Sequence, residues 1–405
     1  MTTSVITSRS QLVNWRNAVF VLFAVNGFGA ATWIARTPAI RDALDITIAQ
    51  MGFLLVGISG GSIVGLLLSS HLLHWLGTKR TILGSLAIAS VGLLLMGLGT
   101  EVLASYAFTF LGLALYGFGT GLCDVAMNVE GAVVERTAKK NLMPLMHAFW
   151  SLGTVAGAGV GAAAAYADVG VGIHLGVVSG LMLVTAFVAT RPLRGDAIAE
   201  PESATDRKER SGFAARMAIW LEPRTLLIGL IVLGMAFAEG SANDWLALAM
   251  VDERDVSYAT GALLFGVFTV AMTVGRVLGG PLLDRFGRVP VLRVSAALAV
   301  VGLLAVIFID QPVVMVSGIV LWGLGASLGF PVGISAAADD PAKAAARVSA
   351  VATIGYLAFL AGPPLIGVLG DNIGLLRALL VVVVLITVAG LVSFAAREPA
   401  ANSSR

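Results

Sequence analysis

Residues 234–245 read GMAFAEGSANDW, and they place Glu239, Asn243 and Asp244 inside one of the most apolar stretches of the chain. A carboxylate in hydrocarbon is costly when ionised, so it must face an aqueous cavity or take up a proton. An acid that loads and releases a proton as its surroundings change can couple proton movement to another process; the plain alternative is a neutral glutamic acid hydrogen-bonded to a neighbouring helix. Asn243 follows Glu239 at i+4, so on an α-helix both project from one face. It can bind hydroxyl groups of a solute or join two helices. Asp244 points elsewhere and lies near one end of its segment, as part of a surface ion pair or as an outer gate with Arg36. A second acid–amide pair at the same spacing, Asp124 and Asn128, reads either as another polar station or as an interfacial anchor, since Glu130 and Glu135 follow closely. His147 carries an imidazole that titrates near neutral pH, suited to proton exchange or to a structural hydrogen bond.

The surroundings of these residues define the fold class. Of the 405 residues, 58% are hydrophobic and 12% charged, about half the charged share of a soluble domain. Twelve apolar segments are predicted, over 15–36, 49–71, 81–99, 105–129, 145–166, 172–190, 225–249, 258–280, 291–309, 313–336, 347–369 and 374–396. Each approaches or exceeds the roughly 20 residues that cross a 30 Å hydrocarbon core as a helix. The runs do not alternate apolar with polar residues, which argues against a transmembrane β-barrel. The 48 glycines, several spaced by four as in Gly153, Gly157 and Gly161, suit close helix–helix packing in lipid. A single cysteine, Cys123, excludes an intramolecular disulfide and a cysteine-rich metal site.

The polar stretch 191–224 separates residues 1–190 from 225–405 and is predicted to link two six-helix halves. With both termini cytoplasmic, 21 of the 26 Lys and Arg residues fall on the inner side and 4 on the outer side, with Arg276 left inside a helix. An internal repeat supports the halves. GLLLSSHLLHWLGTKR (65–80) aligns with GRVLGGPLLDRFGRVP (275–290), and LYGFGTG (115–121) with LWGLGAS (321–327), at nearly constant offset. Repeated halves are a mark of secondary transporters. No Walker loop, nucleotide-binding strand–turn–helix or His/Cys cluster is present in the sequence, so no ATP, cofactor or metal is expected and the chain is not read as an enzyme.

GGPLLDRFGRVPVL resembles the signature loop of the major facilitator superfamily, in which an Asp and Arg residues form a charge relay with a neighbouring helix and latch one conformation. Asp284, Arg285 and Arg288 match that pattern. The first-half copy departs from it, with Ser70, His74 and Trp75 at the corresponding positions, and Leu113 stands near the place of the family's fourth-helix Arg. WIARTPAIRDAL, DVAMNVEGAVVE, MHAFWSLGTVAGAGVG, AFAEGSANDW and LWGLGASLGFPVGISAA are together similar to the fucose-permease-related, YbjJ-type inner-membrane transporters of bacteria.

The resemblance implies that spans 1, 4, 7 and 10 line a central cavity. It matches Asp124 to an acid implicated in sugar and proton handling, and it leaves Asn26 as the nearest polar group to an acid missing from the first span. Proton coupling is expected through Glu239, from its place in an apolar span, and through Asp124, with solute contacts from Asn26, Asn128, Asn243 and Trp322. Arg36, Arg276, Asp284, Arg285 and Arg288 are the expected gating groups. Arg276 is expected to snorkel to the inner surface and join the charges around Asp284, Trp245 to sit in the interfacial belt, and Phe330–Pro331 to kink the tenth span. The expected function is alternating-access transport of a small polar, sugar-like solute, energised by protons. Proton-antiport efflux of amphipathic compounds and a non-transporting sensor are the alternatives. The expected partners are that solute, protons and the lipid bilayer, with no nucleic acid, and the chain is read as a monomer of the bacterial inner membrane.

Overall fold

The computed structural model describes residues 9–140, 142–193, 219–340 and 343–398, and among these every regular element is helical. Eleven helical stretches are long and apolar enough to cross a membrane. One of them, Ile48–Val102, has 55 residues. At 1.5 Å per residue it would run to about 80 Å, more than twice the thickness of a hydrocarbon core. It cannot be one span, and it is not: the run breaks at Gly77, where φ is 72° and ψ is 166°. Only glycine adopts that conformation at low cost. The chain folds back there, so that Gly61 on one arm and Gly92 on the other both lie against the fourth span, Tyr106–Ala138. The second and third predicted spans are these two arms, which brings the span-length helices among the described residues to twelve.

The chain divides into two compact units, one containing residues 9–46 and 54–193, the other 47–53 and 219–398. Most of the predicted linker, 194–218, lies outside the described residues. In the first unit the first span, Arg9–Ile34, packs along the fifth, Met143–Tyr166, and also touches the fourth and the sixth, Val171–Ala189. The contact with the fifth span is backbone on backbone. A Cβ on Gly153 would sit 2.0 Å from the Ala24 carbonyl oxygen, and one on Gly27 would sit 2.1 Å from that of Trp150. The small residues counted in the sequence therefore close this interface. A short helix not expected from the sequence, Thr37–Leu44, follows the first span, started by Pro38 in its first turn and ended by Asp45 in the left-handed conformation.

In the second unit the seventh span, Pro223–Ser241, lies against the tenth, eleventh and twelfth. It continues through a π-helical turn, Ala242–Leu246, into Ala247–Arg254. The eighth, Tyr258–Phe286, and ninth, Arg288–Phe308, meet at Gly287, with φ 75° and ψ 168°. Those angles repeat the Gly77 geometry at the partner position of the internal repeat. The tenth span is interrupted as predicted: Pro312–Ala326 ends before Leu328, and Gly329–Ala337 begins again with Pro331 in its first turn. The eleventh span is Ala344–Ile373; the twelfth comprises Leu375–Ala378, Leu380–Leu391 and a closing 3-10 turn, Val392–Ala396.

Candidate functional site

In the second unit Glu239 lies 16 residues after the start of the seventh span, or about 24 Å along it at 1.5 Å per residue. Its carboxylate accepts two contacts from one guanidinium nitrogen. Arg276 Nη2 of the eighth span is 2.9 Å from Oε1 and 3.0 Å from Oε2. The side chains of Arg276 and Glu239 keep 30% and 15% of their surface, so the pair is neither sealed in the core nor fully open. This corrects two expectations. Arg276 does not snorkel to the inner surface, because an opposite charge on the adjacent helix offers a stronger partner than distant water. Glu239 is held as an ion pair rather than as an isolated acid.

Asn243 lies inside the π turn that follows Glu239. A π turn holds about one residue more than an α turn, so the register between the two side chains departs from strict α-helical i+4 spacing. Asn243 and Asp244 are both half-buried, and neither has a hydrogen-bond partner among the described residues. Trp245 is fully buried within the turn and is therefore not in an interfacial belt. Trp322 is likewise fully buried. Its Nε1 donates to the Ala238 carbonyl at 3.0 Å and its ring meets Phe268 edge-on. That indole has no free face for a solute, so the expected stacking role is corrected to a packing role: it ties the tenth span to the backbone just before Glu239.

The first unit carries a different polar set. Asn26 is buried and its Nδ2 lies 3.9 Å from Met127 Sδ on the fourth span. Asp124 is exposed, and Asn128 Nδ2 donates to the Asp124 carbonyl at 2.8 Å and approaches Oδ1 at 3.3 Å. The acid–amide pair is thus connected along one helix. Trp33 and Tyr116 are buried and meet edge to face, while Trp150 is half-buried. His147, at the exposed start of the fifth span, meets Phe23 edge-on. Arg36 is buried and its Nη2 donates to the Val169 carbonyl at 2.7 Å, within its own unit. Burial pushes the Arg36 guanidinium below its ordinary value, and the charge of Glu101 pulls it part of the way back.

The inner ends show where the signature loop leads. Arg288 Nη1 donates to both oxygens of Asp339, at 2.8 and 3.0 Å, and its Nη2 to Ser335 at 3.0 Å. Arg224 joins the same carboxylate at 2.8 Å. Asp284, by contrast, is exposed with no partner among the described residues, and Arg285 lies over the Phe286 ring. The relay expected from the motif thus runs through Arg288 and an acid at the end of the tenth span, not through Asp284. Beside it, Glu222 accepts from Arg347 at 2.6 and 2.8 Å and from Lys343 at 3.3 Å, and these partners hold its carboxyl down at about 2.

The sequence reading missed Glu130. It is fully buried and accepts from Trp15 Nε1 at 2.7 Å and from the Thr78 hydroxyl. The signal was available in the repeat. The 210-residue offset places Thr78 opposite Arg288, and each of the two, one residue after its left-handed glycine, holds an acid near the inner end of the fourth or tenth span. The first-half copy keeps Lys79 and Arg80 but has Thr78 at the place of Arg288, so the connection is made by a hydroxyl in place of a guanidinium.

Comparison with known proteins agrees with this architecture. The Major Facilitator Superfamily profile matches residues 18–346 and 237–405. An uncharacterised MFS-type transporter of Yersinia pestis is 30% identical over 361 residues, covering 88% of each chain. The uncharacterised transporter y4wD of Sinorhizobium fredii is 30% identical over 364 residues, covering 90% of this chain and 93% of its own. Among solved structures, the nucleoside transporter NupG superposes with a TM-score of 0.72 at 14% identity, covering 95% of this chain and 98% of its own. FucP in its outward conformation superposes with a TM-score of 0.65 at 16% identity, covering 96% and 100%. Likenesses at that identity speak to the fold alone. Fold, repeat and sequence similarity over most of the length together show that the chain belongs to the major facilitator superfamily and is a multi-pass membrane protein of the secondary-transporter type.

Proposed function

We propose that the chain is a proton-coupled transporter that carries a small polar, sugar-like solute across the bacterial inner membrane by alternating access, with both termini cytoplasmic. The observation that carries this reading is the Glu239–Arg276 ion pair, placed deep along two apolar spans and partly accessible. The structural neighbour NupG is a nucleoside transporter, whose cargo is polar and hydroxyl-bearing, and this supports a polar cargo here. The YbjJ-type motifs suggest the same branch.

Glu239 is the titrating group. A proton on its carboxylate weakens the hold of Arg276, and its loss restores the pair. Asp124, exposed on the fourth span beside Asn128, is proposed as the second proton station, and Asn128 and Asn243 as solute contacts; Asn26, buried against Met127, is not among them. Arg288 with Asp339 is proposed as the inner-end latch.

The test uses purified protein. Sugars and related polyhydroxylated solutes are screened by thermal shift, and hits are assayed in liposomes under an inwardly directed proton gradient. The expected result is accumulation above equilibrium by the wild type. The Glu239→Gln variant should bind and exchange solute without gradient-driven accumulation. Undiminished accumulation in that variant would remove Glu239 from the mechanism. Solute binding with no accompanying flux would identify a sensor, and solute movement against the proton flow would identify an antiporter.

A further inference from the structure

We infer that the solute carries a carboxylate, which takes the place of the Glu239 carboxylate on Arg276 when Glu239 is protonated. The inference rests on the proton-coupled reading above and narrows its cargo to organic anions, with sugar acids the class closest to a sugar-like solute.

A guanidinium does not deprotonate in a protein, so Arg276 stays cationic through every step. In the empty site its charge is matched by Glu239, and among the described residues it has no other salt-bridge partner. When the Glu239 carboxylate takes a proton from solvent and becomes a carboxylic acid, the guanidinium is left unmatched deep along an apolar span. That is the costly way to break an ion pair partly withdrawn from water. A neutral cargo leaves the charge standing. A cargo carboxylate cancels it: the site holds one guanidinium and one carboxylate before loading, and the same two charges plus a neutral acid after.

The geometry leaves room for the exchange. Only Nη2 of Arg276 is engaged, while Nη1 and Nε make no hydrogen bond to the described residues. The unused edge of the guanidinium is the fork that binds a carboxylate through two parallel N–H donors. Arg276 is also the more exposed member of the pair.

The other titratable groups on the elements packed here are few. On the seventh span Arg224 lies at the start, Asp244 follows in the π turn, half-buried and without a partner among the described residues, and Asp252, Glu253 and Arg254 close the helix. The eighth span carries Tyr258, Asp284 and Arg285 toward its ends. On the eleventh, Arg347 and Asp371 lie near opposite ends and Tyr356 between them. The twelfth begins beside Arg377, followed at the far end by Arg397 and Glu398, and the tenth has no titratable side chain between Pro312 and Ala337.

The probes are acetate, lactate, gluconate and glucuronate, each set against equimolar chloride and against the uncharged glucose and glucitol. Binding is read as the rise in Tm of detergent-solubilised wild type, Glu239→Gln and the Glu239→Gln/Arg276→Gln double variant. In Glu239→Gln at least one carboxylate should stabilise beyond chloride, at every pH tested, while the uncharged solutes do not. The double variant should weaken that binding at least tenfold. In the wild type the same carboxylate should bind more tightly as pH falls, up to tenfold per unit while Glu239 is ionised; this arm needs no variant to fold. If no carboxylate in the panel exceeds chloride, or if the double variant binds as well as the single, the inference is overturned. In liposomes, proton uptake with an uncharged solute would refute the anionic cargo and leave proton coupling intact. A carboxylate that binds through Arg276 but moves no proton would refute the coupling instead.

Discussion

Replacing Glu239 by Gln keeps the side chain's shape and removes its charge, which isolates what the ion pair contributes. Fully buried pairs lose about 3–5 kcal/mol when one partner is removed, and exposed pairs about 0–1 kcal/mol. With 30% and 15% of the two side chains still accessible, the pair lies between these cases, and a coupling of about 2 kcal/mol is expected. The two single variants should not behave alike. Glu239→Gln strands a guanidinium that cannot shed its charge, so its penalty should persist at every pH. Arg276→Gln strands a carboxylate that can take a proton, so its penalty should shrink in acid. A double-mutant cycle on thermal unfolding in detergent, run at neutral and at acidic pH, measures both effects. The double variant should recover about 2 kcal/mol relative to the sum of the singles at neutral pH. Strict additivity, or a penalty for Arg276→Gln that does not change with pH, would show that the contact has no energetic weight and would refute the reasoning.

Other consequences follow from the same contacts. Gly287→Ala places a side chain at φ 75° and ψ 168°, a glycine-only region, and should cost roughly 1–3 kcal/mol by thermal unfolding; Gly77→Ala should match it if the two halves share the turn. Trp322→Phe removes the hydrogen bond to the Ala238 carbonyl and should cost about 1 kcal/mol of stability, with solute affinity changed only as far as the seventh span shifts. Gly153→Leu should prevent the close approach of the first and fifth spans and abolish folded protein on size-exclusion chromatography, because even a Cβ would meet the Ala24 carbonyl at 2.0 Å. Glu222, held down at about 2 against an ordinary 4.5, has a depressed carboxyl. Its contribution is therefore present above the ordinary value and is lost as pH falls from about 4.5 toward 2. An unfolding series across that window should show a steeper acid loss for the wild type than for Glu222→Gln.

What the sequence made legible was set by periodicity and composition. Span-length apolar runs and the offset of the halves were readable because lipid imposes length and hydrophobicity on every crossing. The break in the tenth span followed from Pro331, whose missing N–H is a local property. The partners of charged groups were not readable in this way. Arg276 and Glu239 are 37 positions apart, and the sequence marks each as unusual without saying that they meet. The π turn at Ala242–Leu246 carries no compositional sign, and Asn243 and Asp244 lie inside it. Trp322 resembled a stacking residue by type alone, since sequence does not reveal that both ring faces are covered. Glu130 was passed over because Thr78, its hydroxyl partner, does not look like part of a charge motif, although the repeat alignment set it opposite Arg288.

The account turns on Glu239 exchanging a proton within its span, and infrared difference spectroscopy of the reconstituted protein tests that without knowing the cargo. Spectra taken across an acid titration should show a protonated-carboxyl band that appears in the wild type and is missing from Glu239→Gln. The band should shift in Arg276→Gln, because the guanidinium lies within 3.0 Å of the carboxylate. Identical difference spectra for wild type and Glu239→Gln would mean that this side chain never takes up a proton, and the coupling mechanism would fail with it.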